Sequence, residues 1–182
     1  MKEFRILMGG FGGQGVLLAG KLLADVCVEK GYNVSWMPSY GPEMRGGTCN
    51  CRIVVSDEDI INPIFSSPNI ALFFNDSSAV KYESTVKNGG TIISNSSLVQ
   101  KTSISNQNCK VEEVRASDIA KEIGNAAGVN IIMLGRLIKE LDFLSLEDFN
   151  NCLSHKFKGA VAELNKEALL IGYNVEHLRT EG

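Results

Sequence analysis

The sequence predicts an α/β fold with three layers, a mostly parallel sheet, an antiparallel edge hairpin and C-terminal helices. Near the start, a short apolar strand ends in glycines and leads into a helical pattern. Residues 70–74 form a continuous apolar run, typical of a parallel strand covered on both faces. Helical periodicity dominates the last third of the chain. Together these features indicate a Rossmann-like sheet, and the 182 residues are long enough for one well-buried domain, predicted to span 1–182.

The first predicted unit is a strand, a loop and a helix. Phe4, Ile6 and Met8 lie on one face of the strand, which stops at Gly9 and Gly10. The following helix ends at Gly31, in the position where glycine commonly closes a helix. Its apolar residues recur at helical spacing and define the buried face: Leu18, Ala19, Leu22, Leu23 and Val26.

The next predicted elements are two strands and a hairpin. Residues 32–37 read as the second strand, which Pro38 is expected to stop. Residues 48–55 alternate in polarity, as expected of a half-buried strand. The acidic turn at 56–59, followed by apolar residues 60–61, predicts an antiparallel hairpin at the sheet edge. We therefore expect a mixed sheet.

After the apolar run at 70–74, Asn75 is a candidate cap for a short helix. Further strands are predicted at 91–93 and 110–114, with mostly loop between them. Four helices complete the chain. Ser117 should cap the first, residues 130–135 are apolar enough for a helix buried on two sides or at a subunit contact, Ser145 with Asp148 forms a capping box, and the last should bury Val161, Leu164, Ala168 and Ile171 and end at Gly172.

Composition excludes several classes of function. A formal net charge of -3 gives no reason to expect a nucleic-acid partner, because such proteins usually gather a basic excess on one face. No apolar run approaches the roughly 20 residues that span a bilayer. The N-terminal residues lack the pattern of a secretory signal. A cytoplasmic protein without nucleic-acid or membrane partners is therefore predicted.

The cysteines and histidines predict neither a metal site nor a catalytic centre. Five scattered cysteines do not form a disulfide framework or an iron-sulfur motif, so we expect reduced thiols. Cys49 and Cys51 share one face of a strand and fit burial better than metal binding. His155 and His177 have no neighbouring ligand residues, and no Gly-x-Ser-x-Gly motif is present. We predict no catalytic and no metal-binding residue.

The first glycine-rich loop is a weak candidate binding site. Gly10, Gly12 and Gly15 fit Gly-x-Gly-x-x-Gly after a strand and before a helix, where backbone amides can hold a pyrophosphate. The dinucleotide fingerprint also requires an acidic residue at the end of the second strand, which here ends at residues 36–39 without one. Two interpretations stay open: a binding loop, or glycines needed for a tight turn and close helix packing. The candidate residues are Gly10, Gly12, Gly13, Gln14 and Gly15.

The second loop, residues 38–48, is more unusual. Two prolines restrict its backbone, and three glycines permit positive φ angles. Tyr40, Met44 and Arg45 together have the composition of an interface or an anion-binding site, although an internal clasp between Glu43 and Arg45 is an alternative. Loops after consecutive parallel strands emerge at one edge, so both loops could form one surface. The candidate residues here are Tyr40, Gly41, Glu43, Arg45, Gly46 and Gly47.

The two loops carry a family resemblance. Gly-Gly-Phe-Gly-Gly-Gln-Gly at 9–15 and Pro-Ser-Tyr-Gly-Pro-Glu-Met-Arg-Gly-Gly-Thr at 38–48 closely resemble the gamma subunit of 2-oxoacid:ferredoxin oxidoreductases. The similarity extends to residues 131–135 and 165–173, and the second motif looks like the 2-oxoglutarate or branched-chain 2-oxoacid branch.

The resemblance implies a non-catalytic subunit of an enzyme that oxidises a 2-oxoacid with CoA to acyl-CoA and CO2 and reduces ferredoxin. Thiamine diphosphate and iron-sulfur clusters would belong to other chains, so this chain alone is expected to bind no cofactor. The expected partners are the alpha and beta subunits, with a delta subunit in some complexes, and ferredoxin indirectly. The loop from Tyr40 to Gly47 would contact CoA or partner subunits, and the isolated chain could form a homodimer. The alternatives are a free-standing Rossmann-type dinucleotide-binding protein and an assembly module without a ligand.

Overall fold

The computed structural model describes residues 3–41 and 47–175, which are built around one six-stranded sheet of order β2-β3-β1-β4-β5-β6. The strands are β1 (Phe4–Phe11), β2 (Asn33–Tyr40), β3 (Thr48–Ser56), β4 (Ile70–Phe73), β5 (Thr91–Asn95) and β6 (Lys110–Val114). The helices are α1 (Val16–Glu29), α2 (Asp76–Tyr82), α3 (Ala116–Glu122), α4 (Val129–Ile138), α5 (Leu146–Lys156) and α6 (Ala160–Asn174). The predicted α/β class is confirmed. No helix in these parts of the chain is long and apolar enough to cross a bilayer.

The sheet is mixed, as predicted, but its antiparallel strand is not the expected one. β1, β4, β5 and β6 are mutually parallel, whereas β3 pairs antiparallel with both β1 and β2. The edge hairpin is therefore β2 with β3. The predicted strand at 60–61 is wrong, because residues 57–69 are irregular. β3 ends beside the start of β1, where Val55 pairs with Phe4. β4 begins at the same end of the sheet, on the other side of β1, where Ile70 pairs with Ile6. A loop is therefore enough to join β3 to β4.

The second strand is longer than predicted. β2 continues through Pro38 to Tyr40. Proline is compatible with this position because β2 is an edge strand, where a missing N–H on the open side breaks no pairing. The prediction that β3 is half buried is also wrong: Cys51 and Ile53 enter the main core, but Asn50 and Val54 on the opposite face are buried too.

Helices cover both faces of the sheet. The larger core lies on the side of α1, α4 and α5, and the smaller one lies under α2, with Phe73 and Ala79 in it. The chain therefore leaves β1 toward one face, through α1, and leaves the adjacent parallel strand β4 toward the other, through α2. Such a reversal between neighbouring strands is a topological switch point, where ligands bind in many α/β proteins.

Two of the three predicted helix caps are present. The Asn75 side chain accepts from the Ser78 amide at 2.9 Å at the start of α2. Ser145 and Asp148 form the predicted capping box at the start of α5. The prediction for Ser117 is wrong, because α3 begins at Ala116, and its N-cap is Arg115, two residues earlier, without a side-chain cap. The Ser117 hydroxyl instead accepts from the Asn95 side chain at 2.9 Å.

The last helix packs through a face that only partly matches the predicted one. Ala168 is buried as predicted, but Val161 and Leu164 are exposed, and Ala162, Leu169 and Gly172 are buried instead. The apolar residues indicated one face, but small residues decide the packing, because α6 approaches α4 closely enough for backbone contact. A Cβ placed on Gly172 would lie 2.7 Å from the backbone carbon of Ile132 in α4. The helix also runs past Gly172 to Asn174.

Candidate functional site

The first glycine-rich loop makes the turn from β1 into α1. Gly13 and Gly15 have φ angles of 94° and 73°, in the left-handed region that favours glycine. A Cβ on Gly15 would also lie 2.7 Å from the side-chain carbonyl carbon of Asn130 in α4, whose amide nitrogen donates to the Gly15 carbonyl at 3.2 Å. The glycines are therefore needed for the turn and for close packing, one of the two interpretations that the sequence left open.

Gln14 fills the inside of this turn. Its side-chain oxygen accepts from the Phe11 amide at 2.7 Å and from the Asn75 side chain at 2.9 Å. Its side-chain nitrogen donates to the Phe74 carbonyl at 3.4 Å. Gly10 has no room for a side chain here, since a Cβ would lie 2.8 Å from the Gln14 oxygen and 2.9 Å from the Phe74 Cβ. The space between the carboxyl ends of β1 and β4 is thus occupied by the protein itself.

The topology also explains the missing acidic residue of the dinucleotide fingerprint. In a dinucleotide-binding sheet, the strand beside the first one is parallel to it and ends next to the glycine loop. Here that neighbour is the antiparallel β3, so Thr48, the first residue of β3, lies opposite Phe11. The strand that follows α1 in sequence, β2, is one position farther away.

The described parts of the two glycine-rich loops lie side by side. The Gly12 amide donates to the Gly47 carbonyl at 3.0 Å, and the Gly41 amide donates to the Thr48 carbonyl at 3.1 Å. β1 and β2 run in the same direction on either side of β3, and their ends therefore meet at one edge. Three residues of the predicted site lie outside the described residues: Glu43, Arg45 and Gly46.

A groove of about 430 Å³ lies between the two loops and the start of α1. Five of its twelve described lining residues are glycines, the others are mostly apolar, and none of the twelve carries a charged side chain. Tyr40 is 73% exposed at its rim, and Leu18 is a second exposed apolar side chain in the lining. The lining residues are Phe11, Gly12, Gly13, Gly15, Val16, Leu17, Leu18, Tyr40, Gly41, Gly47, Thr48 and Cys49.

The cysteines near the groove are not activated. Burial raises the pKa of Cys49, and it raises the pKa of Cys51, deeper under α1, to about 12. A thiol needs a lowered pKa to act as a nucleophile near neutral pH. Over residues 3–41 and 47–175, no group of three or more His, Cys, Asp or Glu side chains is arranged to hold a metal ion. His155 lies exposed on α5, far along the chain from the groove.

Comparison with known proteins gives a family. A family model described as pyruvate ferredoxin/flavodoxin oxidoreductase matches residues 5–175. The chain belongs to this family. The resemblance that the two loops indicated is thereby confirmed.

Several relatives in the family are named as enzyme subunits. Ketoisovalerate oxidoreductase subunit VorA of Methanothermobacter marburgensis is 32% identical over 100% of this chain, but the chain spans only 38% of that relative's length. 2-Oxoglutarate synthase subunit KorC of Methanocaldococcus jannaschii is 31% identical over 96% of this chain and 93% of its own. The crystal structure of a keto/oxoacid ferredoxin oxidoreductase gamma subunit from Geobacter sulfurreducens has a TM-score of 0.83 and 26% identity, covering 95% of each chain.

The sequence missed several residues that form the groove of this family member. Phe11 was assigned only to the loop and Leu18 only to the buried face of α1, and Leu17 was assigned to neither, yet all three line the groove. The signal was available for Leu18, since it lies one helical turn before Lys21, the first of three charged residues on α1 that recur every four positions: Lys21, Asp25 and Glu29. The contacts of Gln14 with Asn75 had no signal in the sequence, because the two residues are 61 positions apart.

Proposed function

We propose that this chain is the gamma subunit of a 2-oxoacid:ferredoxin oxidoreductase. The complex would oxidise a 2-oxoacid with CoA to acyl-CoA and CO2 and pass the electrons to ferredoxin. The observation that carries the proposal is the 31% identity to a 2-oxoglutarate synthase subunit, which extends over 93% of that subunit. The alternative of a free-standing dinucleotide-binding protein has no comparable support: the antiparallel β3 stands where such a protein has a parallel strand, and the Gln14 side chain fills the crevice beside the glycine loop.

Within that complex, the chain would be non-catalytic. Its groove is lined by glycine backbone and apolar side chains, and its cysteines have raised pKa values. Neither feature supplies a nucleophile or a general base. Thiamine diphosphate and iron-sulfur clusters would therefore be held by the alpha, beta and any delta chains, and ferredoxin would meet those chains.

The groove edge would be the contact surface for the partner chains or for CoA. Exposed Tyr40 at the rim of a glycine-lined groove matches the enrichment of aromatic residues at protein interfaces. The absence of charge from the described lining favours an apolar group there, such as a partner side chain or the uncharged arm of CoA. Arg45 and Glu43, outside the described residues, would supply the charged part of the loop in this proposal.

Anaerobic purification of the affinity-tagged chain from its native host tests the proposal. We expect two or three partner chains to copurify, with iron, thiamine diphosphate and CoA-dependent reduction of ferredoxin by a 2-oxoacid. Activity should be compared for 2-oxoglutarate, ketoisovalerate and pyruvate. The proposal would be contradicted if the chain purifies alone and without iron, and if the fractions washed from the affinity column also lack the 2-oxoacid-dependent reduction of ferredoxin.

A second experiment tests the contact surface. Tyr40→Ala in the reconstituted complex should raise the KM for CoA or weaken subunit assembly about tenfold, since losing an aromatic interface anchor costs on the order of 1–2 kcal/mol. Ile61→Ala is the matched control, because Ile61 is also a strongly exposed apolar residue, but it follows β3 at the opposite edge of the sheet. If Tyr40→Ala behaves like Ile61→Ala in both assays, the groove edge is not the contact surface.

A further inference from the structure

We propose that Gln14 is a positioning residue that closes the crevice between β1 and β4 and holds the turn at Phe11–Gly15 in its working shape without a bound ligand. The side chain then does for this loop what a pyrophosphate does for a dinucleotide-binding loop. The open groove is displaced to the neighbouring position, between β1 and β3.

The first support is the location of the side chain. β1 and β4 are adjacent and parallel, and their connections leave toward opposite faces, so the crevice beyond their carboxyl ends is where an α/β protein would bind a ligand. Gln14 and Asn75 meet in this crevice at 2.9 Å. Gly10 lines it without space for a Cβ, which would contact the Gln14 oxygen at 2.8 Å.

The second support is the chemistry of the contacts. The Phe11 amide, at the end of β1, points into the turn and donates to the Gln14 oxygen at 2.7 Å. In a binding loop such an amide would donate to a ligand oxygen. Gln14 therefore supplies an internal acceptor for this amide. Leaving the amide without an acceptor would cost free energy, so the turn conformation that keeps the hydrogen bond is favoured.

The third support is that Gln14 is anchored by a buried polar chain. The Phe74 carbonyl, which accepts from Gln14, also accepts from the Asn95 side chain at 3.4 Å, and Asn95 bonds both the hydroxyl and the amide of Ser117 at 2.9 and 3.3 Å. Asn95 is fully buried. Side-chain amides thus connect the carboxyl ends of β1, β4 and β5, and a buried network of this kind fixes the geometry of its members.

Gln14 also affects the groove of the proposed function. The same turn places the Gly12 amide against the Gly47 carbonyl at 3.0 Å, the direct hydrogen bond between the two loops. If Gln14 fixes the turn, it also presents Gly12 and Gly13 to the groove in a preformed arrangement. The effect on the complex rests on the proposed function, whereas the effect on the turn is a property of the chain alone.

Amide hydrogen exchange of the full-length chain, followed by NMR without partner chains, tests the inference. Gln14→Ala should speed exchange of the Phe11 amide by about 5- to 150-fold, the range expected when a buried donor loses its acceptor. The Gly12 amide should follow, while amides of β4 stay protected because the change is local. Gln14→Glu keeps the acceptor oxygen and should restore Phe11 protection to within about threefold of the unmodified chain.

Asn106→Ala is the control variant. Asn106 is also a partly buried amide that donates to a backbone carbonyl, of Glu83 at 3.2 Å, and accepts from a backbone amide, of Asn108 at 3.1 Å, but it lies in the loop before β6. Its removal should leave Phe11 exchange unchanged.

Three results would overturn the inference. The first is unchanged Phe11 exchange in Gln14→Ala, and the second is a Gln14→Glu variant as unprotected as Gln14→Ala. The third is micromolar binding of NADH or ADP to the unmodified chain with chemical-shift changes at the Gln14 and Asn75 side-chain amides, since that would mean the crevice opens to a nucleotide. None of these measurements involves partner chains, so failure of the proposed oxidoreductase role would leave them unaffected.

Discussion

The crossing of α4 and α6 depends on two glycines that face each other. A Cβ on Gly135 would lie 2.7 Å from the Tyr173 amide nitrogen and 3.0 Å from the Gly172 backbone carbon, and it would overlap the Leu169 carbonyl oxygen. All three atoms belong to the backbone of α6, which has no rotamer to change. Gly135→Ala must therefore push the two helices apart or distort one of them.

The magnitude follows from two opposing terms. Replacing a helical glycine by alanine stabilises a helix by about 1 kcal/mol. Overpacking a core costs about 1–3 kcal/mol when side chains can adjust, and the rigid backbone contacts at this crossing place the cost at or above the upper end. The expected net change is a loss of about 2 kcal/mol in the free energy of unfolding, or a decrease in Tm of roughly 4–8 °C for a chain of this size.

Thermal and urea unfolding monitored by circular dichroism would measure this change. Glu167→Ala is the matched control, because Glu167 lies on the exposed side of α6 and its removal should change stability by less than about 0.5 kcal/mol. An equal or higher Tm for Gly135→Ala would refute the reasoning, since the gain in helix propensity would then exceed the cost of the contact.

Three further predictions concern charge, thiols and the second loop. Burial alone would raise the pKa of Glu112, but hydrogen bonds from Arg136 and Lys110 outweigh it and lower the pKa below its ordinary value of 4.5. Its stabilising contribution is therefore present above that value and is lost as the pH falls below it, and Glu112→Gln should flatten the dependence of unfolding free energy on pH in that acidic range. Iodoacetamide should modify the partly exposed Cys109 before the buried Cys27 and Cys51, whose pKa values burial raises to about 12, as peptide mapping by mass spectrometry would show. Arg45→Ala should raise the KM for CoA or weaken assembly of the complex, and wild-type values for both would contradict the role that the family resemblance implies.

The sequence predicted elements well where the signal is local. Residues 70–74 were identified as a central strand because a strand buried on both faces must be apolar throughout, and the Ser145 capping box needs only four consecutive residues. The wrong predictions share a different cause. Proline at position 38 breaks a central strand but not an edge strand, and only the sheet order shows which of the two β2 is.

The packing face of α6 shows the same limit at the level of side chains. Apolar periodicity assigned Val161 and Leu164 to the core, but close helix approach requires small residues, and Gly172 opposite Gly135 determines the orientation. The information was in the sequence, since both glycines are visible there. Their pairing was not, because it links residues of two helices that are separated by α5.

The candidate site was predictable as a pair of loops but not as a groove. The prediction that the loops share an edge holds, although its reason was incomplete: the loops meet because β1 and β2 flank an antiparallel strand, rather than because they are neighbours in a parallel sheet. The hydrogen bond from Gly12 to Gly47 depends on that arrangement. The binding roles of the loop residues stay predictions.

The two crevices beside β1 have opposite character, and the difference limits what the chain can bind. On the β4 side, Gln14 and Asn75 satisfy each other and the nearby backbone, so a ligand entering there would have to displace existing hydrogen bonds. On the β3 side, the described lining of the groove is mostly apolar and carries no charge, so it offers a ligand few polar groups. An apolar group can gain affinity there by burial alone, about 25 cal/mol for each Å² removed from water, whereas the phosphates of CoA would need cations from Arg45 or from a partner chain. CoA binding that persists in the isolated chain after Arg45→Ala would therefore be inconsistent with this division of roles.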